Sequence, residues 1–306
     1  MPLQSRPMSS KLSPATAALL TVPPLLWAGN AVVGRLVTEL VSPITLNFLR
    51  WVLAFGLLWP LARWVLKPSS GLWTHWRRFA LLGLLGVGCY NALQYLALQT
   101  STPLNVTLVA ASGPLWTLVI GALFFNTPVR RAQLAGVVLS MGGVLVVLSR
   151  GDWQELLRVR LVVGDLYILI ATACWSCYSW LLTRRDEPEA IRQDWAALLL
   201  AQVVFGLGWS GLFTALEWGW AEAHIDWGMP LLATLAFVAI GPSVLAYRCW
   251  GLGVQKAGPA MAGFFFNLTP VFAALLSAAF IGEQPQPYHV TAFALIVAGI
   301  VVSSRR

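Results

Sequence analysis

The sequence predicts an all-α integral membrane protein, with ten transmembrane helices arranged as two inverted five-helix repeats. Three observations predict this. Only 10% of the 306 residues are charged and 58% are hydrophobic, with a mean hydropathy of +0.72, whereas a soluble domain needs roughly a quarter charged residues to cover its surface. The apolar residues fall in blocks of about 20, the length that crosses hydrocarbon as a helix. Those blocks lack the strict alternation of a barrel strand, and an open sheet would leave backbone groups without partners in lipid.

Ser13-Pro14 reads as an N-cap followed by proline at the first helical position. The apolar run from Ala15 is too long for the core of a signal peptide and lacks a small-x-small cleavage site, so it is expected to stay as the first helix. The spans are expected at 15–37, 44–64, 78–98, 103–125, 131–149, 164–183, 195–215, 230–252, 259–281 and 287–304. Between them fall Ser42-Pro43, the segment Lys67 to Gly71, Thr102-Pro103, Asn126-Thr127-Pro128, Asp186-Glu187-Pro188, Gly258-Pro259 and Gln284-Pro285-Gln286-Pro287. Proline sits where a helix can start or must stop.

Charge orients the bundle. With the N-terminus cytoplasmic, the inner segments hold Arg6, Lys11, Arg63, Lys67, Arg77, Arg78, Arg130, Arg131, Arg184, Arg185, Arg192, Lys256, Arg305 and Arg306. The outer segments hold only Arg150, Arg158 and Arg160, and one outer loop carries Glu217, Glu222 and Asp226 without a base. That asymmetry predicts a multi-pass protein of the cell inner membrane with both termini cytoplasmic. The same placement explains the net charge of +8 without a nucleic-acid partner, because no basic-aromatic surface is left to grip a phosphate backbone.

Sliding the chain by 156 residues aligns 95–150 with 251–306 without a gap, placing Gln99 on Gln255, Pro103 on Pro259, Pro114 on Pro270, Phe124 on Phe280 and Gly143 on Gly299. A shift of 148 places Trp27 on Trp175. The halves are thus 1–150 and 151–306. An odd number of spans per half forces the second to insert upside down, an arrangement in which two halves can rock about a midplane site.

The stretch Leu25-Leu26-Trp27-Ala28-Gly29-Asn30 with Arg35, the early Arg50, the prolines Pro114 and Pro270, and Gly282-Glu283 resemble the drug/metabolite transporter superfamily in its EamA-repeat branch, and most closely its aromatic amino-acid exporters. The resemblance covers nearly the whole chain. It implies export of small metabolites through a cavity framed by helices 1, 3 and 4 and their counterparts 6, 8 and 9. The first repeat departs from the pattern, carrying Asn126-Thr127 where a Gly-Glu pair usually stands.

No catalytic constellation is visible. His75, His224 and His289 lie at span ends, and no nucleophile, base and orienter occur at a usable spacing. No P-loop lysine motif is present, and no cofactor is expected. Cys174 and Cys177 form a CxxC inside an apolar helix, without the second pair or nearby histidine of a metal site; with Cys89 and Cys249 they read as packing residues. No metal site is expected.

The expected cavity lining is Trp27 and Asn30 from helix 1, Tyr90, Asn91 and Gln94 from helix 3, Ser112 and Trp116 from helix 4, Trp175 and Tyr178 from helix 6, Tyr247 and Trp250 from helix 8, and Asn267 from helix 9. Their amides and indole or phenol groups need partners and do not suit acyl chains. Such a wall suits a neutral or zwitterionic, partly apolar small molecule. Arg35, Arg50 and Arg248 are charges within spans, read as gating or structural groups. Pro23, Pro24, Pro114 and Pro270 are candidate hinges. Asp165 reads as an N-cap or the partner of an arginine in the outer loop. No acidic residue lies mid-span, so weak or absent proton coupling is expected. The other tryptophans, including Trp59, Trp73, Trp218 and Trp220, lie at span ends as interfacial anchors. Gly136, Ser140, Gly143, Ala294 and Ala298 form small-residue packing faces. The chain is expected to work as a monomer or weak homodimer. Two other readings remain at this stage: a nucleotide-sugar or organophosphate antiporter of the same superfamily, and a membrane scaffold or sensor that transports nothing.

Overall fold

A computed structural model describes residues 12–37, 39–101, 103–150, 152–157, 160–281 and 286–305. Those residues form helices and no named strand, the nearest approach being a single antiparallel bridge between Val41 and Ile225. Helix α1 spans Pro14–Leu36 and α2 spans Pro43–Ala62, followed by two short 3-10 turns. Helix α3 starts at Trp76–Gly83, passes through a π turn at Leu84–Cys89 and continues as Tyr90–Thr100. Helix α4 comes in two halves, Pro103–Ala110 and Gly113–Phe124. Helix α5 spans Arg131–Leu148, α6 Val163–Leu181 and α7 Trp195–Trp220. Helix α8 is Met229–Val238, a π turn at Ala239–Leu245, and Ala246–Ala257. Helix α9 is split into Pro259–Phe266 and Thr269–Ile281, and α10 spans Pro287–Ser304.

Among the described residues, seven helical stretches are long and apolar enough to cross a membrane: Pro43–Leu66, Val106–Phe124, Arg131–Leu148, Trp195–Trp220, Met229–Ala257, Pro259–Leu276 and Pro287–Ser304. Two rods run further than the sequence suggests, α7 to Trp220 and α8 to Ala257, because no proline or glycine pair stops them at the expected ends.

The breaks in the rods repeat at the offset seen in the sequence. The step in α4 at Ala111-Ser112 and the step in α9 at Asn267-Leu268 are 156 residues apart, as are the π turns beginning near Leu84 and Ile240. The hinge reading of the prolines changes accordingly. Helix α1 is continuous through Pro23 and Pro24, whereas Pro114 and Pro270 sit in the first turn of a half-helix, where a missing N–H leaves no hydrogen bond unmade.

Helices α5 and α10 pack antiparallel through glycines. A Cβ on Gly143 would stand 2.7 Å from the Ala292 carbonyl oxygen, one on Gly136 2.8 Å from that of Gly299, and one on Gly299 2.8 Å from that of Gly136. Applying the 156-residue offset turns Gly143 into Gly299 and Gly136 into Ala292, so the seam maps onto itself. Asn267 and Ala111, a pair at the same offset, touch where α4 and α9 break, the Asn267 amide donating to the Ala111 carbonyl at 3.3 Å.

Each end of the bundle has its own clasp. At one end Glu217 of α7 accepts from the Ile44 and Thr45 N–H groups at 3.0 and 2.8 Å and from the Thr45 hydroxyl at 2.6 Å. A carboxylate from another helix therefore takes up donors that the start of α2 leaves free. The Ser42 hydroxyl lies beside His224 at the same end. Asp165 accepts from Val162 N–H at 2.8 Å and from the Ser101 hydroxyl, fixing the start of α6 against the end of α3. At the opposite end Arg78 forms ion pairs with Glu187, which is buried, and with Asp186, and donates to the Leu181 and Arg184 carbonyls at 3.0 and 3.1 Å. It thereby caps the end of α6 from the start of α3.

Gly142 and Gly143 are neighbours with opposite surroundings, since a Cβ on Gly142 meets nothing within 4 Å. Gly143→Leu is expected to destabilise the protein by about 1–3 kcal/mol through overpacking, with Gly142→Leu near neutral. Thermal unfolding of the two variants in detergent, followed by loss of the monodisperse peak, compares them directly; equal melting temperatures would sink the seam as a determinant of stability.

Candidate functional site

Rings from five rods meet in the interior. Trp27 of α1 lies 5.1 Å from Trp175 of α6, 5.4 Å from Trp250 of α8 and 5.7 Å from Phe266 of α9, centroid to centroid. Trp175 in turn lies 5.0 Å from Tyr178, 5.4 Å from Tyr90 of α3 and 5.6 Å from Tyr247 of α8. These are the edge-on and tilted separations at which aromatic pairs attract beyond their buried area. Among the described residues no charged side chain belongs to the cluster.

Its polar atoms are held by the helix breaks. A π turn shifts the helical hydrogen-bond register and frees carbonyls. The Tyr247 hydroxyl donates to the Gly86 carbonyl in the π turn of α3. Trp27 Nε1 donates to the Pro242 carbonyl in the π turn of α8 at 3.2 Å. Gly86 and Pro242 are 156 residues apart, so the two halves present equivalent acceptors to the two rings. Pro242 has no N–H to give to Val238, and the Ser243 hydroxyl takes that carbonyl instead at 2.8 Å. Arg50, which is 1% exposed, donates through Nε to the Ser243 oxygen at 2.9 Å and lies over the Trp51 ring at 5.4 Å. It fixes α2 to the bend of α8.

Two groups in this region have no partner. The Trp175 Nε1 donor is buried and unbonded, as is that of Trp51. Tyr178 donates to Gln202 of α7 at 2.9 Å, and Trp250 donates to the Ser179 hydroxyl at 3.2 Å. Next to Trp175 is a cavity of about 10 Å³ lined by Tyr90, Thr117, Thr172, Ser176, Trp250 and Phe266. That is room for about one water, so the rings close on each other. A second cavity, of about 160 Å³, reaches Tyr178, Gln202 and Tyr247 from the end of the bundle that carries Arg192, Gln193 and Gln255.

Six of the expected lining residues meet in the cluster: Trp27, Tyr90, Trp175, Tyr178, Tyr247 and Trp250. Asn91 is buried next to Tyr90, and Gln94 is half-buried one turn further along α3. Others turn elsewhere. Ser112 bonds back to the Val109 carbonyl at 2.5 Å, and Trp116 makes no ring contact with the cluster, because the step at Ala111-Ser112 turns the second half of α4 so that Thr117 faces inward instead. Asn267 bonds the Ser140 hydroxyl at 2.8 Å and the Ala111 carbonyl, stapling the bundle rather than lining either cavity. Asn30 offers its carbonyl oxygen to Arg50 at 3.5 Å. Arg248 stands over the Trp195 ring at 4.4 Å, in the wall of the larger cavity. The side chain of Arg35, together with Gly282 and Glu283, lies outside the described residues.

Phe266, Thr117, Ser176 and the carbonyls of Gly86 and Pro242 escape a reading of the sequence. Phe266 is hidden in a run of three phenylalanines. Gly241-Pro242 in mid-helix is a signal for a break, and the matching Gly86 follows at the repeat offset.

A bundle of apolar helices closing on a buried, uncharged aromatic cluster, with a cavity leading to it from one end, defines a membrane transport protein. The model of the EamA-like transporter family matches residues 14–149 and 162–305, once per repeat, and the chain belongs to that family. It is 27% identical over 299 residues to an uncharacterized transporter of Archaeoglobus fulgidus, covering 95% of this chain and 98% of the relative. It is 26% identical over 288 residues to the aromatic amino acid exporter YddG of Ancylobacter novellus, covering 92% and 93%. The S-adenosylmethionine/S-adenosylhomocysteine transporter of Chlamydia muridarum is 21% identical over 295 residues, covering 94% and 91%. A crystal structure superposes with a TM-score of 0.73 at 22% identity, over 94% of this chain and 96% of the other, and shows a shared fold.

If the π-turn carbonyls depend on their ring partners, Tyr247→Phe and Trp27→Phe should each destabilise the protein by about 1–3 kcal/mol, the cost of an unpaired buried acceptor. Melting curves of both variants test this, and unaltered curves would count against it.

Proposed function

We propose that this chain is an inner-membrane carrier that exports small amphipathic metabolites, in the first place aromatic or other apolar amino acids, by alternating access. In this reading α1 to α10 each cross the membrane, residues 1–150 and 151–306 form two halves of opposite orientation, and both termini are cytoplasmic. The carrying observation is the uncharged aromatic cluster where rods from both halves meet, with the unpaired Trp175 N–H in its midst. A buried donor left without a partner costs free energy. A cargo carbonyl or carboxylate oxygen would satisfy it, while the rings of Trp27, Tyr90 and Trp250 would take an apolar side chain.

The similarity to an aromatic amino acid exporter supports the choice of cargo. A sugar phosphate or nucleotide sugar would want several free basic side chains around the rings, whereas among the described residues Arg50 is tied to Ser243 and only Arg248 stands in the adjoining cavity. An adenine ring carrying an amino-acid end suits the same walls, which keeps an S-adenosylmethionine-like cargo in view through the chlamydial relative.

Uptake of a labelled panel into proteoliposomes tests the assignment. The panel holds phenylalanine, tyrosine, leucine, S-adenosylmethionine and glucose 6-phosphate. Flux of the amino acids is expected; flux of the sugar phosphate alone overturns the reading.

Two further outcomes follow from the site. Trp175→Phe keeps a ring but removes the unpaired N–H, so the melting temperature should move by no more than about 1 kcal/mol would dictate, while the KM for cargo rises several-fold. A ring that merely packs would leave KM unmoved. The carboxylates of Glu187, Glu217, Asp165 and Asp194 all sit at the ends of rods. Among the described residues no carboxylate or histidine therefore faces the cluster, and a pH gradient alone should not drive cargo uphill. Accumulation in an acid-loaded liposome would contradict that.

A further inference from the structure

The larger cavity contains a cation that nothing so far accounts for. Arg248 stands nine residues before the end of α8 at Ala257, about 13 Å into the rod at 1.5 Å per residue. Its side chain is exposed, so the guanidinium is open to whatever enters from that end of the bundle. Ion pairs join Arg78 to Asp186 and Glu187, and Arg192 to Glu189, and among the described residues none involves Arg248. Its one neighbour of note is the face of Trp195, 4.4 Å away. A guanidinium carbon over a ring face is held by cation–π attraction, which leaves its N–H groups able to donate.

The other groups in the wall are already engaged. Arg192 is occupied by Glu189, with which it makes contacts of 2.9 and 2.6 Å, and its hydrogen bonds hold the Glu189 carboxyl below the ordinary carboxylate range. Gln193 donates to the same carboxylate at 2.7 Å. Gln202 is bonded on both sides, by Tyr178 and by the Leu198 carbonyl. The cavity thus offers a single unengaged cation, and its inner wall is Tyr178 and Tyr247, two rings of the central cluster. Its volume of about 160 Å³ lies below the ~300–1,000 Å³ typical of drug-sized pockets, which limits an occupant to the size of an amino acid.

We infer that this cavity is a carboxylate-docking antechamber, in which Arg248, steadied over the Trp195 ring, binds the carboxylate of a small acid before its side chain enters the aromatic cluster. The inference rests on the carrier reading and adds to it. The negative end of the cargo is received first at one side of the rings, on the charged and glutamine-rich end of the bundle, before the cargo moves in among them. A planar fork meets a carboxylate with two parallel hydrogen bonds. An ammonium on a flexible stem does not reproduce that geometry, and an amide in place of the acid gives up the charge altogether.

Equilibrium binding to the full-length protein in nanodiscs of zwitterionic lipid tests this with three probes: phenylalanine, phenylalaninamide and 3-phenylpropionate. The wild type should prefer phenylalanine to its amide by about tenfold or more, as for a charge-assisted pair. In Arg248→Gln that preference should fall to within about twofold of parity, with amide binding retained as the sign of an intact fold. Arg248→Lys should keep part of the preference. An acid-over-amide ratio unchanged in Arg248→Gln overturns the antechamber, including where the arginine instead proves to retain an anionic lipid through purification. Loss of all binding in both variants also overturns it, since Arg248 would then be structural. If the wild type ignores phenylalanine, the amino-acid cargo fails. Binding of 3-phenylpropionate that vanishes in Arg248→Gln would still uphold a carboxylate site there, and its persistence or absence would not.

Discussion

Backbone carbonyls released inside the bundle must find donors from the protein, because the lipid around it offers none. The structure depends on how that requirement is met at the two π turns. Gly86 and Pro242 expose equivalent carbonyls, and Tyr247 and Trp27 answer them. Those bonds hold two rings of the cluster, and the rings in turn orient Trp175, Trp250 and Tyr178. Arg50 and Ser243 belong to the same arrangement, since the proline that frees Val238 also creates the place where α2 is tied to α8. A helix defect and a cluster of rings are here one construction. The regular helices give the rods their length, and their irregular turns position the rings.

Much of this was legible in the sequence because the signals are local and repeated. Apolar blocks of the right length, prolines at their starts and a 156-residue self-alignment foretell the helices and the pairing of the halves. The cluster was legible through residue type, since Trp27, Trp175, Tyr178, Tyr247 and Trp250 are large amphipathic rings in otherwise aliphatic helices. Direction was harder. Ser112, Trp116 and Asn267 lie next to helix steps, and a step of one or two residues rotates everything after it by more than a hundred degrees. A periodicity argument assumes an unbroken 3.6-residue repeat, and it fails at the positions where the backbone departs from one.

Long-range electrostatics were less visible still. Glu217 reads as one of three acids in an outer loop, yet it caps α2 from 172 and 173 positions away in sequence. Arg78 reads as one more inner basic residue, yet it closes the end of α6 and pairs with a buried glutamate. Neither partner can be inferred from spacing, because the constraint acts across the fold. These two clasps tie rods of the first half to rods of the second at opposite ends. A protein that exposes its centre alternately to the two sides would have to loosen one while keeping the other.

The glycine seam between α5 and α10 has a further consequence. Its contacts exchange when each residue is replaced by its counterpart in the other half, which makes it isologous in the sense used for two-fold dimers. A single five-helix chain bearing that face would already possess both sides of the interface and could pair with an antiparallel copy of itself. The seam therefore has the geometry of a two-fold interface, here closed within one chain. It also explains why a half on its own would leave a tightly grooved face of Gly136, Ser140 and Gly143 in search of its twin.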